Sequence, residues 1–249
     1  MVRYRRRCKA QGHNEKRQNA STREKVSVTN SALVYPGVCV RNHDVARWVR
    51  KNDVGVQVRA SAELGAVISA GVHPARVIVH ASGVSAADMV FCSASLGVGC
   101  IVVDTFETVD VLARALRARR HQTVLVDVVD GDSDDDTIAV VRAVLAQPRL
   151  NIVGLHTDIG TTPADFVSYP AAIGDLICRM SRIRQSEKWL LTRLALTGVV
   201  YTDDEYVAEV SRHSPAIEQS LDDACLTLGF PRPSVIVAAS MPSTDMHAA

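Results

Sequence analysis

The sequence predicts a (β/α)8 barrel, and three observations support that prediction. Short runs rich in valine and isoleucine recur along the chain, helical stretches separate them, and polar residues close several of the runs. Apolar β-branched runs are typical of strands buried on both faces, and helical crossovers make successive strands parallel. Eight such units are the number that closes a barrel, and an open doubly wound sheet is the second architecture that this pattern allows.

Residues 76–106 form the clearest strand–helix–strand unit. The apolar runs 77–79 and 101–103 predict two strands, and Ser85 is placed to cap the helix between them, which Gly97 is placed to end. His80 and Asp104 close the two strands. Because chemistry in parallel α/β folds sits at the C-terminal ends of the strands, these two side chains are candidate site residues.

The remaining elements follow the same rhythm from about residue 26. Neither a G-x-G-x-x-G sequence nor a P-loop pattern occurs, so the sequence does not predict those nucleotide-binding loops. The predicted strands are 32–35, 54–58, 76–80, 100–104, 123–128, 151–156, 190–196 and 234–238, and the predicted helices are 44–51, 62–70, 86–94, 107–118, 134–146, 163–183 and 204–228.

Charge divides the chain into a tail and a domain. Residues 1–25 hold nine lysines and arginines against two glutamates, a net charge of +7, so the remainder carries −6 within a total of +1. We expect residues 1–25 to be a disordered basic tail, 26–240 the barrel and 241–249 a C-terminal tail. The tail is either a solvated extension or an arm for nucleic acid or another polyanion, but it lacks the interleaved aromatic residues of single-strand binders.

The cysteines and the apolar runs bear on the cellular compartment. The six cysteines are scattered without a C-x-x-C pair, which favours free thiols in a reducing cytoplasm. No apolar run approaches the roughly 20 residues of a membrane span, and no apolar stretch follows the basic N-terminus as in a secretory signal. We therefore expect a cytoplasmic protein without a membrane partner.

Several short motifs occur in a fixed order along the chain. They are DVARW at 44–48, AEL at 62–64, AGVHPAR at 70–76, VH at 79–80 with Ser85, GVGCIVVDT at 97–105 and LNIVGLHTDIGTT at 150–162. In this order they resemble the pyridoxal phosphate barrel of the diaminopimelate, ornithine and arginine decarboxylases, and the resemblance is specific over residues 33–162 and weak after about 165. The resemblance implies a barrel of the alanine racemase and decarboxylase kind, with pyridoxal phosphate bound to a lysine.

The positions that would hold this cofactor differ in the present chain. By the resemblance, the Schiff-base lysine position is Val38, the ring-stacking histidine is Asp158, and the substrate-side arginine on the fifth strand is Asp127. The glycine-rich phosphate loop retains only Gly198, and the acid after the eighth strand is replaced within 238–241. The family's C-terminal β-domain is also expected to be absent. We accordingly predict no cofactor and a barrel that has lost its catalytic activity.

Five residues keep the family pattern, and we predict that they line a vestigial pocket together with the altered positions. They are Glu63, His80, Asp104, His156 and Gly160. Two interpretations of the histidines remain open: hydrogen-bonded residues inherited from an ancestor, or a small-ligand or metal pocket shared with two aspartates. We predict no metal.

Two other features have simpler interpretations. The aspartate run at 127, 130, 132 and 134–136 lacks the closing glutamate of a calcium loop and is interpreted as a solvated loop that caps a helix. Cys39 follows the anchor position and is interpreted as a small buried residue, although a catalytic thiol is conceivable there.

The leading hypothesis for function is therefore a non-catalytic relative of the decarboxylases that binds a partner or a small ligand. An active pyridoxal phosphate-dependent decarboxylase or racemase is the first alternative, in which Lys51 or Lys188 would reach the cofactor. A polyanion-binding protein that uses the basic tail is the second. Possible partners are a second copy of the chain or a decarboxylase-like subunit.

Overall fold

The computed structural model describes residues 31–116, 120–129, 133–160, 167–200 and 206–240. The expectations for residues 1–25 and 241–249 lie outside the described residues. In the part of the chain that is described, no helix is both long and apolar enough to cross a lipid bilayer.

Eight parallel strands close into a barrel in the order β1 to β8, and this confirms the predicted (β/α)8 architecture. Closure is made by β1 and β8, where Ser31 pairs with Val235 and Val34 with Ala238. The strands are β1 (Ser31–Pro36), β2 (Gly55–Val58), β3 (Val77–His80), β4 (Cys100–Val103), β5 (Gln122–Val128), β6 (Leu150–Asp158), β7 (Arg193–Val200) and β8 (Ser234–Ser240).

Seven described helices connect the strands on the outside of the barrel, and capping residues fix several of their starts. At the start of the third helix, the Ser85 side chain accepts a hydrogen bond from the Asp88 amide at 3.1 Å. At the start of the fifth helix, the Ser133 side chain accepts one from the Asp136 amide. The helices are α1 (His43–Asn52), α2 (Ser61–Ser69), α3 (Ala86–Val90), α4 (Phe106–Ala115), α5 (Asp134–Leu145), α6 (Tyr169–Glu187) and α7 (Tyr206–Leu228).

Element boundaries differ from the predictions at a few places. The helix predicted for 86–94 begins as α3, but from Phe91–Leu96 it widens to a π-helical turn that ends at Gly97, whose φ is 72°. The seventh strand begins at Arg193 and not at Leu190, which is 45% exposed. That error arose because the apolar run at 189–191 was interpreted as the start of the strand.

The apolar residues form two separate clusters. The larger cluster lies between the strands and the helices, whereas a smaller one fills the barrel interior. The members of the interior cluster are small or branched side chains, namely Val34, Cys100, Val102, Leu125, Ala195, Ile236 and Ala238. The barrel is therefore a packed core and not a channel, and its C-terminal end, here called the mouth, is where polar side chains begin.

Candidate ligand site at the barrel mouth

Polar side chains replace apolar ones on the inner faces of the strands at the mouth. Because strand residues alternate between faces, His80 on β3, His156 on β6 and Thr197 on β7 continue the inward-facing rows of the interior cluster. The three residues are only 3%, 2% and 1% exposed. Burial of this kind is costly unless the polar atoms find partners, so their contacts define the site.

A hydrogen-bonded chain links strands β5, β6 and β7. His156 Nδ1 lies 2.6 Å from Asp127 Oδ1, and His156 Nε2 lies 2.7 Å from Thr197 Oγ1. An ionised carboxylate only accepts, so Nδ1 donates to Asp127, and in the neutral ring Nε2 accepts from the threonine hydroxyl. Asp127 thus fixes the orientation of His156, and both ring nitrogens are satisfied inside the molecule.

His80 meets this chain edge-on. The rings of His80 and His156 have centroids 4.8 Å apart and planes at 79°. Burial, followed by the influence of His156 and of the Arg59 charge, holds the pKa of His80 well below its usual value. His80 is therefore neutral at pH 7, and no hydrogen bond joins its ring nitrogens to the described residues.

An ion pair crosses the mouth above the two histidines. Arg59 follows β2, Asp158 ends β6, and Arg59 Nη1 lies 2.7 Å from Asp158 Oδ2. Since β2 and β6 are four strands apart in an eight-stranded barrel, the pair joins opposite sides of the opening. The Asp158 carboxylate is also held by the Gly160 amide, which donates to Oδ1 at 3.0 Å.

Glu63 supports the arginine side of the mouth. The Arg59 backbone amide donates to Glu63 Oε2 at 2.7 Å, and Glu63 lies in the first turn of α2. Burial raises the pKa of Glu63, although hydrogen bonds from the backbone of Arg59 and Ala60 act in the opposite direction. Glu63, one of the predicted pocket residues, therefore lies at the mouth next to Arg59.

Gly198 packs closely against the residues at the end of β6. Gly198 has a φ of 120°, and a Cβ there would lie 2.7 Å from Ile159 Cγ1 and 2.8 Å from Gly160 O. The same Cβ would be 3.0 Å from Asp158 Oδ1. Gly198 and Gly160 are thus close together, and the absence of a side chain at 198 makes room for the residues that end β6.

The structure brings together some of the predicted pocket and leaves other members apart. Asp104 lies beyond β4, half-buried, and accepts a hydrogen bond from Thr108 Oγ1 at 3.3 Å, so it serves the start of α4. Among the residues that the structure describes, no three histidine, cysteine or acidic side chains are grouped so that they could hold a metal ion. Cys39 is a buried free thiol.

The interpretation of Asp127 as part of a solvated loop is wrong. Its side chain is 19% exposed and pairs with His156, because it lies on the inner face of β5 ahead of the loop. Asp134 and Asp136 do lie in the first turn of α5, as predicted, while Asp130 and Asp132 lie outside the described residues. The predicted loop therefore grouped residues with two different roles: Asp127 belongs to β5, and Asp134 and Asp136 belong to the first turn of α5.

Two residues of the site were missed by the sequence analysis. Arg59 was not considered, although it directly follows the apolar run of β2, as His80 ends that of β3. Thr197 was not considered as a site residue either. The same attention to polar residues at strand ends would have selected Arg59, whereas no sequence signal marks Thr197 as the partner of His156.

Comparison with known proteins gives the family. The sequence model of the pyridoxal-dependent decarboxylases, pyridoxal binding domain, matches residues 14–239. The chain belongs to this family. Diaminopimelate decarboxylase of Actinosynnema pretiosum subsp. auranticum is 27% identical over 165 residues, which cover 59% of this chain and 38% of that protein. The enzyme of the same name from Mycobacterium bovis is 22% identical over 223 residues, covering 78% and 50%.

Solved structures of the family share the fold. Diaminopimelate decarboxylase from M. jannaschi superposes with a TM-score of 0.69 at 12% identity, covering 84% of this chain and 53% of that chain. The arginine decarboxylase of Paramecium bursaria Chlorella virus gives a TM-score of 0.66 at 15% identity, covering 85% and 57%. The chain therefore spans about half the length of the decarboxylases that it matches.

The family assignment contradicts the expectation of no cofactor. Pyridoxal-dependent decarboxylases are pyridoxal phosphate proteins, and the matched region is their pyridoxal binding domain. That expectation was wrong because it was drawn from the loss of individual contact residues, whereas the region as a whole keeps the family's pattern.

The residues present nevertheless do not fit a covalently anchored cofactor. Val38, the position that the resemblance assigns to the lysine, lies in the turn Gly37–Arg41 after β1 and has no amine. The lysines among the described residues, Lys51 and Lys188, are exposed, and the Lys188 amine donates to the Gln185 carbonyl at the end of α6.

Proposed function

We propose that this chain is a member of the pyridoxal-dependent decarboxylase family that does not catalyse decarboxylation by itself and that binds a small ligand or a protein partner. The observation that carries the proposal is Val38 at the anchor position, because a hydrocarbon side chain cannot form the imine on which the chemistry of pyridoxal phosphate depends. The proposal concerns catalysis and covalent linkage, and leaves the family's cofactor as a candidate ligand.

The hydrogen bonds of the mouth support the same proposal. The Asp127–His156–Thr197 chain satisfies both nitrogens of His156 within the protein. Asp158, at the position that stacks on the cofactor ring in the family, is engaged by Arg59. A general acid or base must be free to meet a substrate, and both ring nitrogens of His156 are already hydrogen-bonded within the protein.

An active decarboxylase or racemase is the second candidate, favoured by the match to the family over residues 14–239. In that case an additional domain or a partner subunit would have to supply the missing groups. Polyanion binding through residues 1–25 stays a prediction from the sequence, since those residues lie outside the described part. A cytoplasmic location is proposed as well, supported by the five described cysteines, all free thiols.

The test restores the anchor. The purified chain and its Val38→Lys variant are incubated with pyridoxal phosphate, reduced with borohydride and digested for mass spectrometry, and carbon dioxide release is measured from diaminopimelate, ornithine, arginine and lysine. We expect no reduced adduct and no turnover with the natural chain, and an adduct at residue 38 in the variant. The five native lysines serve as the internal control.

A trapped adduct on a native lysine together with turnover would overturn the proposal in favour of the active enzyme. An adduct in Val38→Lys that is spread over the native lysines, and not concentrated at residue 38, would instead show that position 38 is not the anchor position.

A further inference from the structure

We propose that the barrel mouth is a latched oxyanion site: the Arg59–Asp158 ion pair closes it, and a small ligand carrying a carboxylate or phosphate opens it by taking the place of Asp158 on Arg59. This inference rests on the ligand-binding part of the proposed function and assigns the chemical class of the ligand.

The ion pair is placed as a latch. Arg59 and Asp158 come from strands on opposite sides of the barrel, and their contact passes over the inner face where His80 and His156 lie. Each end is fixed separately, by the Glu63 carboxylate on the Arg59 amide and by the Gly160 amide on Asp158. Release of the pair therefore leaves the strand ends that carry Arg59 and Asp158 in place.

The latch is weak enough to open. The side chains of Arg59 and Asp158 are 40% and 37% exposed, so water and salt screen their attraction. Ion pairs with this exposure favour the paired over the unpaired form by a factor of only about one to six. An open form is then a substantial minority of the molecules, and a ligand of modest affinity is sufficient to select it.

Below the latch, His80 provides a second donor. Its ring is 3% exposed, and no hydrogen bond joins it to the described residues, yet its neutral form carries one N–H. Arg59 is near enough for its charge to act on His80. An oxyanion held by the guanidinium and by this N–H would accept from a donor that makes no hydrogen bond to the described residues, and its bond to the guanidinium would be charge-assisted.

The charge balance favours exchange of one anion for another. Replacement of the Asp158 carboxylate by a ligand carboxylate or phosphate keeps an anion beside Arg59, while Asp158 turns toward solvent. Asp127 stays bonded to His156 throughout, so the hydrogen-bonded chain of β5–β7 is not part of the exchange.

The experiment follows the ring protons of His80 by NMR, assigned by their loss in His80→Gln. Acetate and inorganic phosphate are titrated at constant ionic strength into the natural chain, Asp158→Asn and Arg59→Gln. Asparagine retains an acceptor for the Gly160 amide but no charge. We expect Asp158→Asn to bind either anion about two- to sixfold more tightly, because it removes a competitor of only this strength, and we expect loss of the response in Arg59→Gln. Asp44→Asn, which breaks the exposed pair with Arg47, is the matched control and should bind as the natural chain does.

Equal binding by the natural chain and Asp158→Asn would overturn the latch, and an unchanged response in Arg59→Gln would overturn the site.

If Asp158→Asn does not fold, the natural chain is tested alone: phosphate at constant ionic strength should slow the reaction of His80 with diethylpyrocarbonate, and no protection would reject the proposal. Tighter binding of phosphate than of acetate would assign a phosphate-bearing ligand, and the reverse a carboxylic acid. Turnover in the decarboxylation assay would contradict the proposed function, but it would not change the interpretation of the anion titrations.

Discussion

The two sides of the mouth differ in how their polar groups are satisfied. On the β5–β7 side, Asp127, His156 and Thr197 bond to one another at 2.6 and 2.7 Å. On the β2–β3 side, His80 has no hydrogen bond to the described residues, and Arg59 reaches across the opening to Asp158. The first side is organised as a structural element, whereas the second holds the ion pair and the histidine on which the proposed ligand site depends.

This comparison explains how a family barrel can keep its fold while its site changes. The interior below the mouth is filled by small apolar residues that depend on neither side. Replacement of the partly exposed Arg59 or Asp158 is therefore expected to cost the barrel little stability, whereas the buried polar groups of the mouth must keep their partners.

The largest effect is expected at Gly198, on the β7 side. Gly198→Ala places a Cβ within 3.0 Å of Ile159, of the Gly160 carbonyl and of Asp158, at a φ of 120°. Overpacking and backbone strain together should lower the free energy of unfolding by about 3 kcal/mol, measured by urea denaturation. Gly174→Ala is the matched control, because nothing lies within 4 Å of its added Cβ, and it should stabilise α6 by about 0.5–1 kcal/mol. Equal effects of the two variants would contradict the packing around Gly198.

A smaller effect is expected when the hydrogen-bonded chain is broken. Asp127→Ala leaves His156 Nδ1, in a ring that is 2% exposed, without its acceptor. The free energy of unfolding should fall by about 2 kcal/mol in the same assay. Asp104→Ala is the comparison, since its carboxylate is half-buried and accepts only one long hydrogen bond, from Thr108 at 3.3 Å, and it should cost less than about 1 kcal/mol. A larger loss from Asp104→Ala would show that the β5–β7 chain is not the structural side.

The sequence was sufficient for the fold and for part of this site. The apolar β-branched runs and the caps, such as Ser85, are local signals, so the eight strands could be predicted within a few residues. His80 and His156 were found because they end strands. The partners of His156 could not be predicted. Asp127 and Thr197 lie beside His156 because of the pairing registers of β5, β6 and β7, and these registers depend on the shear of the closed sheet.

The Arg59–Asp158 ion pair across the barrel was even harder to predict from the sequence. Arg59 and Asp158 are 99 residues apart, and only closure of eight strands places them on opposite sides of one opening. The family resemblance identified Asp158 as an altered position but gave no partner for it. Loss of contact residues, judged one position at a time, was also what led to the mistaken prediction of no cofactor, because membership of a pyridoxal-binding family is carried by the whole barrel.

The smallest effect concerns the pH dependence contributed by His80. Burial holds its pKa below the usual value of 6.5 in the folded state, so below pH 6.5 the unfolded chain binds a proton that the folded chain excludes. Stability should therefore fall as the pH drops below about 6.5, by at most about 1.4 kcal/mol per pH unit, until the lowered pKa is reached.

The His80→Gln variant should lose this component, seen as a flatter dependence of Tm on pH between about 7 and 5. Raising the pKa of Glu63 acts in the opposite direction, adding stability as the pH falls toward its usual value of 4.5, and it is common to both proteins. His43→Gln, at an exposed residue at the start of α1, should leave the slope unchanged. An unchanged slope in His80→Gln would mean that His80 already has a proton acceptor or solvent access in the folded chain, and the β2–β3 side would then not differ from the β5–β7 side in the way proposed.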